Sequence, residues 1–165
     1  MQIKQKGIMI RNLRNKYLIG IFFLGISNSV YCQIRNKIDT IQNNNCRIII
    51  EYPAYNRINI TNYEEGYFKT INCIQDTVFI TIFDGRMVNL PIIDLSDKTI
   101  ESESFLSKYI RCIRGYSLDD NSEKRYFRED DYLDYGVSVT YENVNQAKFD
   151  NYEDYLNNVK IIPIK

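Results

Sequence analysis

The sequence predicts an α+β domain: a mainly antiparallel sheet of about six or seven strands with two helices, after an N-terminal signal peptide. Three observations carry this. Thr77–Phe83 (TVFITIF) is rich in β-branched and aromatic side chains, which fit a pleated surface. Asp84-Gly85 follows at once and precedes another apolar run, a hairpin signal because Gly takes positive φ without strain. Apolar residues then recur at helical spacing twice, around Phe105 and around Tyr152.

The leader comes first. Lys4, Lys6, Arg11, Arg14 and Lys16 precede any acid, the first being Asp39. Tyr17–Ile26 (YLIGIFFLGI) is purely apolar but shorter than the roughly 20 residues that span a bilayer. Val30-Tyr31-Cys32 has small residues at its first and third places. Together these read as a secretory signal peptide over residues 1–32, cleaved after Cys32. Two alternatives would hold the chain at a membrane: an uncleaved anchor, which Asn28 interrupts, and lipidation of Cys32, where Tyr31 stands in place of a small residue. The expected location is therefore outside the cytoplasm, periplasmic or secreted, with a lipid-anchored surface protein as the alternative.

The leader carries five of the 21 basic residues and none of the 21 acidic ones, so the remaining 133 residues have a net charge of −5. That charge repels phosphate backbones and excludes nucleic acid as a natural partner. The length suits one domain with a real core. Three cysteines remain, Cys46, Cys73 and Cys112. Export permits one disulfide, and Cys46–Cys73 is the candidate pair because both fall in predicted strands; small buried apolar thiols are the other reading. The chain has no histidine, which excludes Cys–His catalysis and any zinc site that needs His. No cofactor is implied.

Gln33–Asn45 is polar and reads as a flexible lead-in with a short strand near Ile38–Ile41, and residues 46–165 form the domain. Arg47–Tyr52 (RIIIEY) is a strand with Ile48, Ile50 and Tyr52 on one face, stopped by Pro53. Arg57–Thr61 alternates, with Ile58 and Ile60 expected inward. Asn62–Gly66 is a turn, and Tyr67–Ile92 reads as three strands joined at Gln75-Asp76 and Asp84-Gly85. Phe105, Leu106, Tyr109, Ile110 and Ile113 predict the first helix, with Ser102 as N-cap and Gly115 as the stop. Leu118–Asp134 is a polar, loop-like middle, and Val137–Tyr141 a strand. Phe149, Tyr152, Leu156 and Val159 predict a second helix over Gln146–Asn158. Ile161–Ile164 closes the chain as a strand.

Chemistry concentrates in the polar middle. Asp119-x-Asn121-x-Glu123 has the alternating oxygens of a calcium loop but lacks its Gly and its twelfth-place Glu, so a solvated loop fits better. Glu129, Asp131 or Asp134 could pair with Glu64 or Glu65 for acid–base work on a glycan. Tyr126, Phe127, Tyr132 and Tyr135 stand among those acids, and Tyr suits protein and sugar surfaces alike. No nucleophile elbow, P-loop or dinucleotide fingerprint occurs. The sequence thus favours a non-catalytic exported protein binding a protein partner, as an inhibitor, an immunity-type protein or a surface-assembly component. A small carboxylate-dependent hydrolase acting on glycans is the rival. The expected binding surface is Tyr126–Tyr135, with Glu64 and Glu65 second.

Overall fold

A computed structural model of the chain describes residues 36–64, 66–85 and 90–164. The signal peptide expected over residues 1–32, Cys32 and Glu65 lie outside the described residues. Among those described, ten strands form two antiparallel sheets, with one α-helix.

The first strands are β1 (Asn36–Gln42) and β2 (Cys46–Pro53). In β2 the alternation acts as expected: Ile48, Ile50 and Tyr52 are fully buried while Arg47 is exposed. Each such side chain contributes roughly 1.5–3 kcal/mol by leaving water. Next come β3 (Asn56–Tyr63), β4 (Gly66–Cys73) and β5 (Val78–Gly85). Residues Ile74–Thr77 turn β4 into β5, closed by the Asp76 N–H donating to the Cys73 carbonyl at 3.0 Å. After a crossover the chain forms β6 (Thr99–Ser107), β7 (Ile110–Leu118), β8 (Lys124–Tyr132) and β9 (Val137–Val144). A single 3-10 turn, Gln146–Lys148, leads into helix α1 (Phe149–Asn157), and β10 (Lys160–Pro163) ends the described fold.

The small sheet has the order β1-β2-β10, and the large one β3-β4-β5-β9-β8-β7-β6. Two meanders, β3–β5 and β6–β9, therefore meet where β5 pairs with β9. The small sheet and α1 cover one face of the large sheet, which we call the core face. Ile48, Ile50 and Tyr52 of β2 pack there with Ile71, Ile80, Ile82, Val139 and Tyr141, and with Tyr152 and Leu156 of α1. The described part of the crossover, Leu90–Lys98, crosses the opposite face, where Ile93 packs on Ile113 and Phe127.

Several expectations are corrected. Asp84-Gly85 is not a hairpin turn: Asp84 pairs with Tyr67 and Val137, and Gly85 with Gly66, inside the ladder. Both edges of β5 are taken by β4 and β9, so no third meander strand can pair with it. The first helix is absent; its residues form β6 and β7, joined at Lys108-Tyr109. The polar middle is not a loop, because β8 runs through the sheet between β7 and β9. Ile58 and Ile60 are exposed, since β3 is an outer strand of the large sheet. Residues of the expected lead-in form β1, paired along its length with β2. The Cys46–Cys73 bridge is not formed. Cys46 sits opposite Pro163 in the small sheet and Cys73 opposite Asn56 and Val78 in the large one, and all three described cysteines are buried free thiols.

Candidate functional site

The acids of the middle segment are strand residues, so alternation sends them to two faces. Arg128, Asp130 and Tyr132 face the core side; Phe127, Glu129 and Asp131 face the crossover. On the core side Arg128, 2% exposed, holds Asp130 through two bonds: Nε to Oδ1 at 2.9 Å and Nη2 to Oδ2 at 2.6 Å. Its Nη1 donates to α1, to Glu153 Oε2 at 3.0 Å and Asn157 Oδ1 at 2.7 Å. The Tyr141 hydroxyl donates to Glu153 Oε1 at 2.7 Å. This network docks the helix.

On the crossover side Glu129 and Asp131 are both fully buried. The backbone N–H groups of Ile92 and Ile93 donate to the two Glu129 oxygens at 2.8 and 3.0 Å. Asp131 accepts from Arg111 Nε at 2.8 Å and from the Ser138 hydroxyl at 2.5 Å. Burial, with the neighbouring Asp131 charge, pushes the Glu129 carboxyl up to about 8, against the pull of the two N–H groups. At neutral pH Glu129 is thus largely protonated. The pair has the electronics of an acid–base dyad but no exposed surface for a substrate to reach. It fastens the crossover to β8.

The other expected site residues do not join one surface. Tyr126 is half-buried against Phe149, ring centroids 4.7 Å apart, with its hydroxyl donating to Gln146 Oε1 at 2.5 Å. Phe127 is buried over Gly115, where any Cβ would sit 2.9 Å from its ring. Tyr132 is buried in the core. Glu64 is exposed at the β3–β4 turn. Asp134 and half-buried Tyr135 lie in the 3-10 turn Leu133–Tyr135, between β8 and β9. Gly136 follows at φ 67°, and its carbonyl accepts the Gly85 N–H at 2.8 Å. This end of the sheet holds a cleft of about 430 Å³, lined by Asn43, Asn44, Tyr67, Asp84, Asp134 and Tyr135 among others. The calcium-like loop spends its first acid internally. Asp119 Oδ1 accepts the N–H groups of Asn121 and Glu123, both at 2.9 Å, and Oδ2 accepts from Arg125 at 2.6 Å. Among the described residues no group of three His, Cys, Asp or Glu is placed to hold a metal ion.

Sequence reasoning missed a second feature on the crossover side. Thr70, Thr81 and Thr140 stand in register on β4, β5 and β9, beneath a cleft walled by Tyr63, Phe68 and Ile92. Alternation in TVFITIF places Thr81 on the same face as Phe79 and Phe83, and only strand pairing aligns it with the other two threonines.

No family model, curated protein or solved structure matches this chain. The fold and site define a two-sheet antiparallel α+β domain in which the interior strand β8 carries buried ionisable residues on both faces and whose large sheet ends in exposed outer strands.

Proposed function

We propose that this protein acts by binding rather than by turnover, outside the cytoplasm, and that its partner is a protein adding an extended segment to the free edge of β6. The observation that carries the reading is β6 itself. All nine of its residues are exposed, including Ile100, Phe105 and Leu106. Among the described residues it pairs only with β7, leaving one row of backbone donors and acceptors open. Two bulges and the acids Glu101 and Glu103 break up that edge, which discourages indiscriminate pairing and narrows the set of partners. The segment it suits is apolar and basic by turns, and the net charge of −5 outside the leader steers such a partner in.

The hydrolase reading is weaker because Glu129 and Asp131 are buried and fully engaged. The test is photo-crosslinking in the exporting cell, with the reactive group at Phe105 or, on the opposite edge strand, at Ile58. A discrete protein adduct from Phe105 alone, reduced by Ile100→Lys, is expected. Equal labelling from both edges, no adduct at all, or glycan hydrolysis that disappears in Glu129→Gln would overturn the proposal.

A further inference from the structure

One face of the large sheet carries a row of threonine hydroxyls, one of which the fold leaves without a partner. Thr70, Thr81 and Thr140 lie directly across three neighbouring strands, and the row runs on to Glu129 of β8. The Thr70 and Thr81 hydroxyls share one long hydrogen bond at 3.5 Å, which leaves each with further bonding capacity. Thr140 is 1% exposed, and its Oγ1 has no hydrogen-bond partner among the described residues. Buried hydroxyls are nearly always bonded, so an orphan one marks a place where a partner is supplied from outside.

That hydroxyl row floors a cleft of about 280 Å³. Phe68 and Tyr63, edge to face at 5.5 Å, form one wall and Ile92 of the crossover another. Glu142 also lines it, its carboxylate 3.6 Å from Lys98 Nζ. The cleft is independent of the β6 edge, which lies at the other end of the sheet order.

We propose that this cleft binds a single neutral sugar ring, its hydroxyls bonded to Thr70, Thr81, Thr140 and Glu142 and its C–H face against Phe68. The chemistry selects this class. A threonine hydroxyl both donates and accepts, so a row of three matches a ligand bearing several neutral hydroxyls. An aromatic wall matches the apolar face of a pyranose and not a fully solvated ion. Lys98, which also bonds Asp97, lies 3.6 Å from the one acid of the lining, Glu142, and no basic residue lines the cleft, so nothing there selects an anion. Its volume stands just below the roughly 300–1,000 Å³ of common ligand pockets, room for one ring and not for a chain.

The test is protein NMR of the whole chain titrated with neutral monosaccharides and their methyl glycosides to about 50 mM, where even a millimolar site fills. At least one sugar should shift the amide signals of Thr70, Thr81 and Thr140. Thr140→Val keeps the shape and removes the hydroxyl; it should weaken that sugar about tenfold or more, and Thr140→Ser should restore it. Thermal unfolding of Thr140→Val should show no loss of stability, separating a lost ligand bond from a damaged fold. Equal binding of the methyl glycoside would point to a terminal residue of a glycan, and binding of the free sugar alone to a monosaccharide; both support the site. No shift at these residues with any sugar, or undiminished affinity in Thr140→Val, would overturn it.

Discussion

Glu129 should make the fold less stable as pH rises through neutrality, which is the reverse of ordinary acid denaturation. Its carboxyl is raised in the folded state from its ordinary 4.5 to about 8, first by burial and then by the charge of Asp131. A raised folded-state value means that the native protein binds the proton more tightly than the unfolded chain. The stabilisation is therefore complete below about pH 4.5 and is lost progressively up to about pH 8. At about 1.4 kcal/mol per pH unit, the ceiling is about 5 kcal/mol. That is a large part of the ~5–15 kcal/mol that holds a domain together. The window is favourable because the chain contains no histidine, and the buried thiols of Cys73 and Cys112 are pushed above it, to about 11 and about 12. Glu142, also raised by burial, contributes in the same direction, so Glu142→Gln is the control. Urea unfolding followed by far-UV circular dichroism at steps from pH 5 to 8.5 measures the effect. Wild type should lose stability across this range, whereas Glu129→Gln, which retains an acceptor oxygen but cannot ionise, should show a much flatter profile. Equal slopes in the two proteins would refute the assignment of the proton to this dyad.

Two further outcomes follow from the interior. Arg128→Met should cost about 3–5 kcal/mol in urea unfolding because it strands the buried Asp130 carboxylate, and adding Asp130→Leu should recover most of that loss. All three described cysteines are buried with raised thiol values, Cys73 and Cys112 mainly through desolvation. Native protein should therefore resist alkylation at Cys46, Cys73 and Cys112, and urea-unfolded protein should take label at all three without prior reduction, as read by mass spectrometry.

Legibility in the sequence followed the range of the interactions. RIIIEY could be read because alternate residues Ile48, Ile50 and Tyr52 enter one core. The second helix could be read because Tyr152 and Leu156, one turn apart, both enter it. The false first helix arose because Phe105, Leu106, Tyr109 and Ile110 have helical spacing, although Phe105 and Leu106 lie on β6, Tyr109 in the turn and Ile110 on β7. Phe105, Leu106 and Tyr109 are in fact exposed, so the apparent apolar face is no face at all. The charge density of RYFREDDY argued for a loop. Its partners are distant in sequence: Arg111 lies 20 residues before Asp131, and Glu153 lies 25 after Arg128. Composition within a window cannot show such neutralisation. The threonine row was hidden for a related reason, since side-chain alternation assigns a face within one strand and register alone aligns three.

The placement of charge in β8 also bears on where function can reside. Replacing a buried ion pair by apolar residues of similar volume is often neutral or stabilising, so the charges are a poor device for strength alone. What they add here is address. Arg128 reaches two side chains of α1, and Glu129 takes two consecutive backbone N–H groups of the crossover; each match fixes one element to one place on the sheet. A greasy strand would accept either element at several offsets, whereas a misplaced helix would leave the Arg128–Asp130 pair without its outer bonds. The middle of the large sheet is thereby committed to assembly, and its acids are withdrawn from solvent. The surfaces proposed to meet another molecule use other strands, the β6 edge and the threonine-floored cleft. Glu129 lies opposite Thr140 across the β8–β9 ladder, and its hold on Ile92 fixes a wall of the cleft. Sugar binding should therefore respond to Glu129→Gln only through the position of Ile92, whereas Thr140→Val acts on the ligand bond itself.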